Sequence, residues 1–215
     1  MDRFFASTNP FNQLRDNERK RLAEAAQEKS YAKGEVIFRE GEPSTAIWVV
    51  KTGRVHVMKL LRNGKVSTTC VMTQCELFCC LAALDRKHYP ADAIAAVDST
   101  LVRIPARVFH QMMSRSTGFA QETLLLFCER LRQLEHKGSM LYEPVERRLA
   151  QVLLGLSRKF GDTVPLTRHE LAEIAGTTHE TAIRALGRLG KAGLIRSSRG
   201  RVTIVSREKL DGLLK

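Results

Sequence analysis

Hydrophobic positions along the chain change their period three times. Residues 11–30, FNQLRDNERKRLAEAAQEKS, set Leu14, Leu22, Ala25 and Ala26 on an apolar stripe between charged positions, the pattern of short amphipathic helices. From Tyr31 to about Pro105 the texture turns to strands. IWVV (47–50), RVHVMKLL (54–61) and KVSTTCVM (65–72) are rich in β-branched residues and are punctuated by Gly41, Gly53 and the pair Asn63–Gly64. β-Branched side chains are stiff at χ1 and suit a pleated surface. Asn-Gly between two such runs predicts a type I′ hairpin, whose two central residues both need positive φ. Short strands at this spacing predict a β-barrel or β-roll.

Over 106–137 helical spacing returns. Ala120, Leu124, Phe127, Leu131 and Leu134 step by four and three, and Leu141 keeps the register. An a/d seam of this kind keeps one stripe facing a partner helix and predicts a parallel dimer; the same stripe could instead lie on its own domain's core. Gly138 falls on the seam and Pro144 marks a fresh start, so a break is expected there. The chain then divides into a domain at 1–105, a helix and hinge at 106–143, and a second domain at 144–215.

That second domain carries two helix starts. Thr167-Arg168-His169-Glu170 and Thr177-Thr178-His179-Glu180 both have the S/T-x-x-E spacing of a capping box, in which each side chain satisfies the other's backbone donor. The first helix is expected over about 168–175, with Leu171, Ile174 and Ala175 toward a core and Gly176 in the turn. The second should run to about Ala192 and stop at Gly193. Helix, short glycine-containing turn, helix is a helix-turn-helix pattern.

On a helical wheel Ala182, Leu186 and Leu189 share one side of the second helix, Glu180, Arg184, Gly187, Arg188 and Lys191 the other, and Ile183 lies at the flank. Glu180 and Arg184 could form an exposed i,i+4 ion pair worth a few tenths of a kcal/mol. They could instead meet DNA, the arginine on guanine and the glutamate accepting from a cytosine amino group. Basic residues beside an acid at a helix start favour the second reading. Thr178, His179 and Thr181 sit where such a helix meets phosphates or base edges, and Thr167 joins them. GLIRSSRGRVTIVS follows as a hairpin with Arg196, Arg199 and Arg201 near its tip, a wing whose Arg199 and Arg201 would clasp phosphates.

Charge supports this picture. The net charge is +12, with 14 Lys/Arg against 7 Asp/Glu over 144–215 and 21 against 16 over 1–143. A basic excess concentrated in the last third points to a polyanion, here double-stranded DNA. No apolar run approaches the ~20 residues of a membrane helix, and the N-terminus lacks the apolar core of a secretion signal. The expected location is the cytoplasm, where the five cysteines stay reduced. No P-loop, GxGxxG, Cys-x-x-Cys or Ser-His-Asp pattern is present, so no enzyme is expected.

These parts, in this order, resemble the CRP/FNR family of bacterial transcription regulators, named for the cyclic AMP receptor protein and the fumarate and nitrate reduction regulator. KGEVIFREGEPSTAIWVVKTGRVHV (33–57) is similar to the family's β-roll opening, GTTHETAIRALGRLGKAGLI (176–195) to its recognition helix, and 106–137 to its dimerisation helix. The resemblance spans about residues 10–215. It implies an α+β fold: an N-terminal cyclic-nucleotide-binding-like β-roll, a long dimerisation helix and a C-terminal winged helix-turn-helix. It also implies a homodimer on a palindromic operator, with RNA polymerase as a further partner if the protein activates. In the family's Glu-x-x-x-Arg pattern both residues read bases, and they are Glu180 and Arg184 here. Ile183 departs from relatives that have serine or glycine; its side chain would suit a thymine methyl. By analogy the half-site contains TGA.

Nucleotide-binding relatives hold their ligand with a segment resembling G-E-x-x-x…R-S-A, the acid on the ribose and the arginine on the phosphate. Here QCELFCCLAALDRKHYPADAIAAVDST (74–100) keeps Glu76, but has Cys75 for the glycine and Pro90-Ala91 for the Arg-Ser. A buried phosphate without that arginine is poorly compensated, so cyclic AMP and cyclic GMP are not expected. HYPADAIAAVDS looks more like the FNR, nitric-oxide-regulator and FixK branches. The FNR branch's N-terminal cysteines for a [4Fe–4S] iron–sulfur cluster are missing, since the first cysteine is Cys70. Yet Cys70, Cys75, Cys79 and Cys80 lie close together and Cys128 sits mid-helix. The C-x3-C-C spacing matches no standard zinc or iron–sulfur pattern. Several inputs stay open: a haem ligated by His56, His88 or His110; a thiol redox or soft-metal switch using Cys75, Cys79, Cys80 and Cys128; or no effector, with the cysteines packing as small hydrophobes.

Overall fold

Two phenylalanines near the N-terminus, outside any periodic stripe, anchor the first layer. Helix α1 (Asp2–Ala6) and a 3-10 turn at Phe11–Gln13 bury Phe5 and Phe11 completely, with ring centroids 5.0 Å apart. Helix α2 (Asp16–Ala25) follows. The helical reading of 11–30 stops there, because Ala26 is extended (φ −81°, ψ 148°) and the next residues form a strand. The computed structural model describes residues 1–214, with only the backbone for His136, Lys137, Ser139 and Leu141, so the seam position Leu141 lies outside the described side chains.

The strands are β1 (Gln27–Tyr31), β2 (Val36–Phe38), β3 (Ala46–Thr52), β4 (Val55–Leu60), β5 (Val66–Met72) and β6 (Leu77–Phe78); after helix α3 (Cys80–Leu84) come β7 (Asp92–Ala95) and β8 (Ser99–Pro105). They form two four-stranded sheets, ordered β1-β8-β3-β6 and β2-β7-β4-β5. Pairing of Gln27 with Arg103 through Tyr31 with Ser99 gives QEKSY its backbone partners and explains why it leaves the helix.

Strand β3 shows why IWVV is an unbroken apolar run. Ile47 and Val49 face a cluster with Phe5, Phe11, Phe109 and Phe119, whereas Trp48 and Val50 face Phe38, Phe78, Tyr89 and Leu101 inside the roll. Successive side chains point to opposite faces, and both faces are buried. Within the roll, Phe38 stacks on Tyr89 with centroids 3.8 Å apart, and Trp48 Nε1 donates to the Tyr89 hydroxyl at 3.3 Å.

Two expectations are corrected. The hairpin at Asn63–Gly64 forms, but not as type I′. Gly64 alone has positive φ (+76°), its N–H bonds Leu61 O at 2.9 Å, and Leu61 N–H bonds Lys65 O at 2.8 Å. The loop is therefore three residues long, a turn followed by a left-handed glycine. The stretch 106–137 is two helices, α4 (Ala106–Arg115) and α5 (Thr117–Ser139). Ser116 between them is extended (φ −119°, ψ 105°), and its Oγ accepts the Phe119 N–H at 3.4 Å to restart the helix. On α5, Leu124, Leu125, Leu131 and Leu134 are 53–58% exposed and Cys128 is exposed, while Phe127 packs partly on its own unit's core.

A 3-10 turn at Met140–Tyr142 leads to α6 (Val145–Phe160), β9 (Thr163–Val164), α7 (Arg168–Ala175), α8 (His179–Lys191), β10 (Ile195–Ser198), β11 (Arg201–Ile204) and α9 (Arg207–Gly212). The wing is an antiparallel sheet ordered β10-β11-β9, its third strand unforeseen. Leu149, Leu153, Leu166, Leu171, Ala182 and Ala185 are fully buried. By compactness the chain forms two units, Met1–Leu60 with Thr69–Leu131, and Leu61–Thr68 with the chain from Arg132 on. The fold is the expected α+β assembly of roll, helix and winged helix-turn-helix.

Cys75 stands at φ +65°, a conformation that costs a side-chain-bearing residue about 1–2 kcal/mol and glycine almost nothing. Cys75→Gly keeps the bond from its N–H to Val50 O (2.8 Å). It is expected to raise unfolding stability by roughly 1 kcal/mol, the relief exceeding the added unfolded-state entropy; urea denaturation of both chains checks this.

Candidate nucleic-acid interface

Helix α7 begins with the expected capping box. Thr167 Oγ1 accepts the Glu170 N–H at 3.2 Å, and Glu170 Oε2 accepts the Thr167 N–H at 2.6 Å. It ends at Gly176 in the left-handed region (φ 63°, ψ 44°), with Thr177 N–H on Ala172 O at 3.0 Å and Gly176 N–H on Glu173 O at 3.4 Å. This is a Schellman closure.

Because Thr177 is consumed in that closure, it does not cap the next helix, and the second expected capping box is absent. Thr178 is the N-cap of α8: its Oγ1 accepts the Thr181 N–H at 3.2 Å and lies 2.9 Å from Thr181 Oγ1. Glu180 therefore sits in the first turn and is released from the reciprocal role. Its own backbone N–H, then the Thr178 hydroxyl, hold the carboxyl below the usual carboxylate range against desolvation, with His179 and Arg184 adding less in the same lowering direction. The group is an exposed, fixed anion. Among the described residues Glu180 and Arg184 form no ion pair with each other, so the pair does not close on itself.

Ala182, Ala185, Leu186 and Leu189 are buried, while Glu180, Arg184, Gly187, Arg188 and Lys191 are exposed, as is Ile183 at 38%. Arg188 differs from expectation. Its guanidinium is engaged by the Glu146 carboxylate at the start of α6, which makes it a strut between helices. Thr167, Thr178 and His179 are exposed and Thr181 is half-buried. The His169 and His179 rings meet edge-on at 5.5 Å. At the wing tip Arg199 is exposed, Gly200 has φ +75°, and Arg201 Nε donates to Ser198 Oγ at 3.2 Å.

Two residues that no motif announced hold this surface together. Arg148 of α6 donates Nη1 to Ala175 O (2.9 Å) and Gly176 O (3.0 Å), clasping the turn between the two helices. Arg168 Nε donates to Ser197 Oγ at 3.2 Å, tying α7 to the wing.

Residues 28–116 match the cyclic nucleotide-binding domain and residues 147–213 the Crp-like helix-turn-helix domain. The chain is 29% identical to the cyclic AMP receptor protein of Thermus thermophilus over 83% of each chain. It is 23% identical to the CRP-like cAMP-activated global transcriptional regulator of Mycobacterium tuberculosis over 98% of each. Its fold matches FixK2 from Bradyrhizobium japonicum with a TM-score of 0.78 at 25% identity, covering 87% of this chain and 96% of that one. The chain belongs to the CRP/FNR family. It is a DNA-binding transcription regulator of that type, and no described helix is long and apolar enough to cross a membrane.

The cyclic-nucleotide position of the CRP/FNR roll does not fit that ligand here. Oε2 of Glu76 accepts from Thr73 N–H at 2.7 Å and Thr73 Oγ1 at 2.8 Å, so the acid closes its own turn. Pro90 is exposed and Ala91 buried, and neither has a group for a phosphate. The cysteines do not assemble a metal centre: among the described residues no three or more His, Cys, Asp or Glu side chains are grouped to hold an ion. Burial pushes the Cys79 thiol far above its ordinary range, with Cys80 beside it adding to the effect; burial pushes Cys80 up to about 11, opposed by Arg130. Both are protonated at neutral pH, and the thiolate is the ligand and nucleophile. Cys70 and Cys75 are half-buried. His56 is buried on β4, His88 is exposed, and His110 Nε2 donates to Ala83 O at 2.9 Å, which removes that nitrogen from haem ligation.

Arg148→Met leaves two turn carbonyls without their donor and is expected to cost about 1–3 kcal/mol of stability, measured by denaturation. Operator affinity should fall further than the loss of folded protein explains. The cysteines give a pH signature. Their folded pKa values lie above the ordinary thiol value of 9.0, so the folded state keeps protons that the unfolded state releases. The associated stability is full below about pH 9 and drains away as pH rises toward 11 and beyond, by up to about 1.4 kcal/mol per pH unit per thiol. Unfolding curves from pH 8 to 11 should be flatter for Cys79→Ala/Cys80→Ala than for the parent chain.

Proposed function

We propose that the chain works as a homodimer on a palindromic operator, with one α8 in each of two successive major-groove half-sites. The observation that carries this reading is the exposed face of the first two turns of α8, where the Glu180 anion and the Arg184 guanidinium lie without joining. Arg184 takes guanine, Glu180 accepts from a cytosine amino group, and Ile183 meets a thymine methyl. Thr167, Thr178, His179 and Thr181 lie where helix N-termini meet phosphates, with Arg199 and Arg201 reaching the backbone from the wing. Arg188 acts through Glu146 as a positioning residue. The exposed leucines of α5 form the dimer seam, with Cys128 among them. The regulator acts in the cytoplasm and contacts RNA polymerase where it activates.

Input reaches the roll by something other than a cyclic nucleotide, for the reasons of Glu76, Pro90 and Ala91 given above. A second reading, a regulator of the same type with no effector, is favoured by the aromatic filling of the roll by Phe38, Trp48 and Tyr89.

Operator selection from a random library, followed by binding isotherms, tests the reading. Arg184→Ala should cost about 1–3 kcal/mol of specific affinity and relax preference at one base pair of each half-site. Arg199→Ala should instead weaken binding to all sequences and reduce the salt slope by about one. An Arg184→Ala chain with unchanged base preference would sink the assignment.

A further inference from the structure

One surface concavity in the first unit, of about 450 Å3, gathers cations that the DNA-reading helices do not use. Arg86, Lys87 and Arg107 line it together with the imidazoles of His88 and His110, and no carboxylate does. Asp85 stands beside it and pairs with Lys87 (Nζ to Oδ2, 3.4 Å). Arg86 and Arg107 are exposed, and neither has an ion-pair partner among the described residues.

The wall is a built frame. Tyr89 N–H bonds Glu42 O at 2.8 Å, Ser44 N–H bonds Lys87 O at 3.4 Å, and Ala106 N–H bonds Thr45 O at 2.9 Å. The loop at 42–45 is thus fastened to the residues after α3 on one side and to the start of α4 on the other. His110 Nε2 fastens α4 back to Ala83 O at 2.9 Å. Helix α4 has Pro105 at its N-cap with no side-chain cap, so first-turn N–H groups add partial positive charge beside Arg107.

We propose that this concavity binds a small phosphorylated ligand, separately from DNA and from the family's cyclic-nucleotide position. Its volume lies in the range of small-molecule sites, about 300–1,000 Å3. Guanidinium groups fork onto phosphate oxygens, and a helix N-terminus complements the same charge. Concavity favours a small phosphate over a flat acidic protein surface. Neither Glu76 nor any of the five cysteines lines it. A ligand here bridges the 86–88 loop and α4, the helix that leads through Ser116 into α5. The proposal does not depend on which bases α8 reads.

Isothermal titration of the full-length protein with inorganic pyrophosphate, at constant ionic strength in chloride, tests it. Three chains are compared: the parent, Arg86→Ala/Arg107→Ala, and Arg184→Ala/Arg199→Ala. The expected result is saturable binding to the parent, weakened roughly tenfold or more in the first variant and unchanged in the second. Both substituted arginines of the first variant are exposed, and a matching thermal melt verifies that it folds. Absence of saturable binding to the parent overturns the proposal. So does equal binding by the parent and the first variant, or loss in the second variant alone, which puts the anion on the DNA-reading surface. Binding of polyglutamate but not pyrophosphate, lost in the first variant, also overturns it and marks the patch as a dock for an acidic protein surface.

Discussion

The DNA-reading half of the molecule depends on where one helix is allowed to begin. Thr177 donates its backbone N–H to Ala172 O, so Gly176 must adopt the left-handed conformation and Thr178 must become the cap of α8. A start one residue earlier would leave the buried face of Ala182, Leu186 and Leu189 in place but make Glu180 the third helical residue. Its carboxylate would then close a capping box on the Thr177 N–H and no longer be presented outward. Arg148 supplies the complementary restraint by binding the carbonyls of the same turn, whose lone pairs would otherwise be unmet. The exposed anion at Glu180 and the uncommitted guanidinium at Arg184 are consequences of this geometry.

The same logic explains why the sensor half departs from the nucleotide-binding pattern. Glu76 spends its carboxylate on Thr73, while Cys79 and Cys80 sit deep enough that ionisation is unfavourable. Phe38, Trp48 and Tyr89 pack the roll with one another, and the buried polar groups among them are answered inside the protein by the Trp48–Tyr89 and Tyr89–Ala46 bonds. A phosphate placed there would meet Pro90 and Ala91 where nucleotide-binding relatives offer an arginine and a serine. Positive charge collects instead on the outer side of α3 and α4, where solvent shares the cost of holding three cations together.

Much of this was legible in the sequence, for reasons that differ by element. β3 announced itself because a strand buried on both faces must be apolar at every position, and α8 because its buried and exposed positions separate cleanly on a wheel. The break at Ser116 was available in Ser-Thr-Gly but was masked by the heptad spacing that follows it. Thr177, with Glu180 three residues on, fits the capping-box pattern and Thr178, with Thr181 there, does not; the closure of α7 overrides that local signal. β1, β9 and the role of Phe5 depend on partners far along the chain: Gln27–Tyr31 is polar and becomes a strand only by pairing with β8. Arg148 and Glu146 belong to that class too, since nothing local marks an arginine as destined for a turn or a glutamate for Arg188.

In the homodimer proposed above, the α5 seam would have energetics suited to regulation. Burying a leucine fully is worth about 1.5–3 kcal/mol, and half of that surface is already covered, so each remaining half contributes about 1 kcal/mol. The three exposed seam leucines, Leu124, Leu131 and Leu134, on each of two protomers would yield about 6 kcal/mol, against an association cost of about 4–15 kcal/mol. A dimer closed by this stripe alone would be near balance. Small changes in how α4 holds the start of α5 across the extended Ser116 would then be large beside the net free energy. A long uninterrupted helix would carry such changes rigidly. In the dimer proposed above, the break after Arg115 would serve instead as a joint at which α5 is re-aimed without unwinding.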